Sequence, residues 1–180
     1  MRIFWYFVIY SFFGFLLEVV FARLIRAEKK DRKCFVLLPL CPVYGLGALA
    51  ILLLPEPVRQ SEPLLVLLGG LIATGVEYLM AVYYEKRLGV VFWDYSQLRG
   101  NLHGRVCPVF SLFWGLLAVV LVRRVHPLVA RAAARIPVPL TVAAMLLLAA
   151  DSVYTAALLR RTHSTGSLRW YDGGQKNTAG

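Results

Sequence analysis

Apolar residues gather in five long runs separated by short polar segments, and the length of each run sets the element it predicts. The first, residues 3–22, has the roughly 20 residues a helix needs to cross the hydrocarbon core of a bilayer. A secretory signal is excluded as its reading: the basic start is Arg2 alone, the run is too long, and no small-residue cleavage site follows. The second run, 35–54, has Pro42 near its start and a face of Gly45, Gly47, Ala48 and Ala50 suited to close helix approach. A short connector over 55–63 makes runs two and three antiparallel neighbours. Run three, 63–84, carries Gly69, Gly70 and Gly75. Run four, 106–122, leads into an Ala-rich basic stretch up to Arg135 that reads as a short interfacial helix. Run five is 138–159. The pattern predicts an all-α membrane protein: a single transmembrane domain over 1–161 with about five spanning helices, then a disordered cytoplasmic tail over 162–180, which is rich in Gly, Ser and Thr.

Composition agrees with that class. The chain is 59% hydrophobic and only 17% charged, with a mean hydropathy of +0.65, too apolar for a soluble domain of this size. A net charge of +10 would suggest nucleic acid in a soluble protein. Here the cations sit in short segments between apolar runs, which points to topology and to anionic lipid headgroups instead. With the amino terminus outside, the inner segments hold 14 Lys and Arg and the outer ones six. That asymmetry favours five crossings in a cell membrane, with the carboxyl terminus in the cytoplasm.

An internal repeat is legible in the first four runs. Glu18 is followed by a polar inner segment and CPVYGLGAL from Cys41; Glu77 is followed by a polar inner segment and CPVFSLFWGLL from Cys107. The separations are 23 and 30 residues, the extra seven falling in the second loop. Both units begin outside, so the expectation is two helical hairpins related as parallel repeats about an axis along the membrane normal, plus a fifth helix. Pro in a first helical turn also has an ordinary explanation, because its missing N–H was unpaired there anyway.

The residue types able to do chemistry concentrate in 92–115, FWDYSQLRGNLHGRVCPVFSLFWG. Glu18, Glu77 and Asp151 are acids inside apolar runs, each toward the predicted inner end. A charged side chain at the centre of a spanning helix costs at least about 2.5 kcal/mol, so such groups face the bundle, pair with a cation or take up a proton. Arg105 is a candidate partner for Glu77, for Glu18 or for an anionic substrate, and also an ordinary inner anchor. Asp94 and Asn101 flank a loop, where capping is their default role. Glu18, Glu77, Asp94, Asn101 and Arg105 are the candidate lining of a polar pocket facing the cytoplasm. Cys41, Cys107, Ser111, Trp114 and Asp151 are secondary candidates, with helix packing the simpler role for the first four. His103 near Cys107 lacks the further ligands a metal needs, and no metal or cofactor is expected. No hydrolase elbow, phosphate loop, dinucleotide fingerprint or zinc-protease motif is present, which excludes an ATPase or standard hydrolase in this chain.

The aromatic-Trp-Asp-Tyr-Ser run at 92–96, Asn101, Gly-Arg-Val-Cys at 104–107 and Ser-x-x-Trp-Gly at 111–115 resemble the CmpB-like family described as Putative ABC-transporter type IV, which occurs mainly in bacteria. Glu18, Tyr44-Gly45 and Glu77-Tyr78 match its earlier landmarks. Two positions depart from the family pattern: residues 97–100 lack its usual Pro, and Pro108 follows the Cys. The resemblance implies a permease-like or transporter-associated component of a bacterial inner membrane. It implies as partners a separate nucleotide-binding subunit or further copies of the chain. A non-catalytic assembly or sensor subunit, and an enzyme acting on a lipid at the inner leaflet, are the alternatives; the absence of a catalytic set weighs against the enzyme.

Overall fold

A computed structural model describes residues 1–26 and 33–168. Much of the basic segment after the first run, 27–32, and the expected tail from 169 onward lie outside the described residues.

The described chain is helical, with a lone β-bridge between Leu102 and Val106. In order come α1 (Arg2–Leu24), α2 (Pro42–Leu52), a short α3 (Glu56–Gln60), α4 (Glu62–Tyr83), α5 (Pro108–Val120), α6 (His126–Ala133) and α7 (Val138–Thr162). Single π turns extend α4 through Leu88 and join α5 to α6 without a break. Four of the resulting helices are long and apolar enough to cross a membrane: Arg2–Leu24, Glu62–Leu88, Pro108–Ala133 and Val138–Thr162. Their outward faces carry Leu16, Leu71, Phe113 and Leu146, all exposed. In lipid such residues meet a solvent as apolar as they are. The protein is therefore a multi-pass, all-α membrane protein. The basic stretch after run four continues the helix of α5 without a break.

Run two differs from its sequence pattern in an informative way. Only Pro42–Leu52 is helical, 11 residues, because Pro39 and Pro42 interrupt the hydrogen-bond ladder that a helix over 35–41 would need. Non-helical backbone at membrane depth is tolerated only where protein satisfies its polar groups, and α7 does so here. The Asp151 carboxylate accepts from Leu37 N at 3.2 Å and Leu38 N at 2.8 Å, and Thr155 Oγ1 accepts from Val36 N at 3.1 Å. Cys41 N donates to Ser11 O on α1 at 2.9 Å.

Two antiparallel pairs, α1 with α2 and α4 with α5, meet through contact of α2 with α4. Small residues let the backbones close. A Cβ on Gly45 would lie 2.7 Å from Phe7 O and overlap Ser11 Oγ; one on Gly70 would lie 2.9 Å from Ser111 O. Beyond α7 the chain turns once more, Thr165–Leu168, and buries Leu168.

Candidate functional site

Glu18 and Glu77 each stand six residues before the last residue of their helices, α1 and α4. At 1.5 Å per residue that is about 9 Å along the axis, and for Glu77 the π turn through Leu88 carries the helix further still. Glu77 is 3% exposed. Its carboxylate accepts from Tyr95 Oη at 3.0 Å and from Trp114 Nε1 at 2.9 Å, donors from the loop and from α5. Glu18 accepts from Tyr44 Oη on α2 at 2.7 Å. The Tyr44 and Trp114 rings meet edge to face, centroids 4.9 Å apart, so the two acids are joined through their aromatic donors. They lie within electrostatic reach of each other. Among the described residues Glu77 has no ion-pair partner.

The loop over this pair is built by the polar residues of 92–105. Asp94 accepts from Ser96 N at 2.8 Å and from Ser96 Oγ at 3.0 Å. Asn101 donates to Ser96 O and Leu98 O and accepts from Gly104 N at 2.9 Å. Gly104 has φ +70° and lies against Asp94, which only glycine adopts without strain. Tyr95 N donates to Gly104 O at 2.7 Å, and the Tyr95 ring stacks on Phe110 of α5 at 4.8 Å. Burial first, and then the neighbouring Glu77 carboxylate, hold the Tyr95 phenol well above its ordinary pKa. It remains a hydrogen-bond donor at any physiological pH.

Arg105 does not reach Glu77. It forms a bidentate pair with Glu85, Nη2 to Oε2 at 2.6 Å and Nε to Oε1 at 3.0 Å, and donates from Nη1 to Tyr78 Oη at 3.2 Å. The Glu85 hydrogen bond holds its guanidinium pKa above the usual value. Tyr78 Oη also lies 3.1 Å from His103 Nδ1. This pairing ties the end of the loop to the end of α4.

The proposed pocket residues thus fall into three groups: Glu18 with Glu77, Arg105 with Glu85, and Asp94 with Asn101 inside the loop turn. Among the secondary candidates, Trp114 joins the acid pair. Ser111 accepts from Thr74 Oγ1 at 2.9 Å and donates to Cys107 O at 3.0 Å, linking α4 to α5. Cys107 is buried as the residue before Pro108, and Cys41 stands in the same position before Pro42. The near neighbour of Cys41 is Cys34, with sulfurs 3.6 Å apart. Asp151 serves the non-helical segment, accepting from Leu37 N and Leu38 N.

Sequence reasoning left Tyr44, Tyr95 and Glu85 out of the candidate pocket, although the first two lie in the family motif. Tyr44 carries a signal: it takes the aromatic place in CPVY that Phe110 takes in CPVF. Glu85, 20 residues from its partner, carries none.

The sequence model of one family, described as Putative ABC-transporter type IV, matches residues 5–156. No curated protein and no solved structure matches the chain.

Proposed function

The chain belongs to the Putative ABC-transporter type IV family, and on that premise we propose that it works as a transporter-associated membrane component whose operating site is the Glu77–Glu18 pair, facing the cytoplasm. The observation that carries this reading is Glu77 itself. A carboxylate in an apolar span, 3% exposed, is held by two neutral donors from separate segments. Tyr95 and Trp114 favour its charged form, whereas the surrounding hydrocarbon disfavours it. Such a balance suits a group that gains and loses a proton or a cation during a working cycle. Glu18 contributes from the other hairpin, and the Arg105–Glu85 fork with the Asp94 and Asn101 turns fixes the loop that carries Tyr95.

Three of the groups that an inner-leaflet enzyme would draw on are less suited to that role here. Asp94 and Arg105 are occupied in loop geometry, and Cys107 is 2% exposed.

Glu77→Gln tests the reading, because it removes the charge and keeps the shape. One amide hydrogen bond to Tyr95 or Trp114 survives, so membrane insertion stays near wild type while function in a strain that depends on the protein is lost. Arg105→Lys impairs function as well, since a point charge cannot reproduce a bidentate fork. Normal growth or transport with both inserted variants would show that the acid pair is structural.

A further inference from the structure

One wall of the acid pair is also the end of a cleft of about 610 Å³. The cleft runs between α1 and the α5–α6 helix over a floor of α2, with Tyr10, Tyr44 and Trp114 among its lining and apolar side chains along the rest. Along α1 it extends from Val20 to Tyr10, about 15 Å at 1.5 Å per residue. Its volume lies in the roughly 300–1,000 Å³ range of ligand-binding clefts. Gly47 lines it, and a Cβ there would meet nothing within 4 Å. Most of the other interior glycines permit helix contact; this one keeps space open.

Resting on the reading that the Glu77–Glu18 pair is the operating site, we propose that this cleft holds one hydrocarbon tail of a membrane lipid bearing a protonated amine, with the amine at Tyr44 and Trp114. Charge selects the headgroup. The two rings have their donors turned to Glu18 and Glu77 and line the cleft themselves. An ammonium against these rings gains cation–π attraction in a site of low polarity, and the carboxylates behind them add to it. An anionic head meets repulsion from the same acids. Direction also fits, because the acids lie toward the inner helix ends and the cleft runs from them toward the opposite leaflet, as the tail of an inner-leaflet lipid would.

The test uses the full-length protein purified in detergent and three probes with the same tail: hexadecylamine, hexadecanol and hexadecanoate, titrated by native mass spectrometry. Wild type should bind the amine at least about tenfold tighter than the alcohol, the factor expected for a charge-assisted contact, and hexadecanoate weakest. Glu77→Gln should narrow the amine's advantage over the alcohol, leaving the share that the two rings and Glu18 supply. Gly47→Phe should weaken amine and alcohol together by filling the cleft, at an unchanged unfolding temperature; Leu117→Trp on the opposite wall repeats the test should the first variant unfold. Equal binding of the three probes by wild type overturns the proposal, as does full retention by a folded plugged variant. A dimer that Gly47→Phe dissociates would also overturn it, in favour of a second copy. Loss of function in Glu77→Gln with no amine preference and a fully working Gly47→Phe would leave the acid pair as operating site and remove the lipid.

Discussion

Among single residues, Asp151 shows how position and partner decide what an acid does. Within an apolar run it resembled Glu18 and Glu77, yet it stands where α7 faces a stretch without helical hydrogen bonds, and it accepts the N–H groups of Leu37 and Leu38. Asp151→Ala would leave those donors unsatisfied and should cost about 1–3 kcal/mol, read as a fall in unfolding temperature in detergent. Asp151→Asn, which keeps an acceptor oxygen, should cost less. Equal stability of the alanine variant would mean that water serves the segment instead. Glu77 differs because its donors are side chains from other segments, so its replacement is expected to affect function before stability. The acids could be picked out in the sequence by the cost of charge in lipid; their division into backbone support and candidate site could not.

Among elements, both hairpins close at corresponding places. Ser11 meets Gly45 and Gly70 meets Ser111; each pair lies seven residues before the Glu and four after the Cys of its unit. That common register supports the proposed repeat, which requires the two hairpins to superpose with Cys41-Pro42 and Cys107-Pro108 at equal depth. The contact also makes a paired stability prediction. Gly45→Ala should destabilise by about 1–3 kcal/mol through overpacking even though alanine favours helix. Gly75→Ala, whose Cβ meets open space, should be neutral or stabilise by up to about 1 kcal/mol. Thermal unfolding of the two variants side by side checks this, and similar behaviour would place the helices farther apart than described.

For the whole molecule, orientation is the remaining proposal, with the 92–105 loop and the acid pair on the cytoplasmic side because 14 of 20 Lys and Arg fall in segments on that side. Gln97 is exposed in the loop and the three native cysteines are buried. In a background lacking Cys34, Cys41 and Cys107, Gln97→Cys should resist an impermeant thiol reagent added to intact cells and react once the membrane is opened. Labelling from outside would invert the molecule.

The class, the long apolar runs and the acids are legible in the chain alone, because run length and the cost of charge in hydrocarbon need no tertiary context; that only four of the five runs form long spanning helices is not. The chain alone also placed the loop motif, whose Asp94, Asn101 and Gly104 act on neighbours close in sequence. Tertiary structure decided the partners. Pro39 and Pro42 bar a helix over the start of run two, and its backbone is satisfied there only because Asp151, more than 100 residues away, accepts its N–H groups. Arg105 binds Glu85 and leaves Glu77 to Tyr95 and Trp114 because the π turn after α4 carries Glu85 to the loop's end. The cleft exists only where three helix surfaces fail to close, and no single run records that.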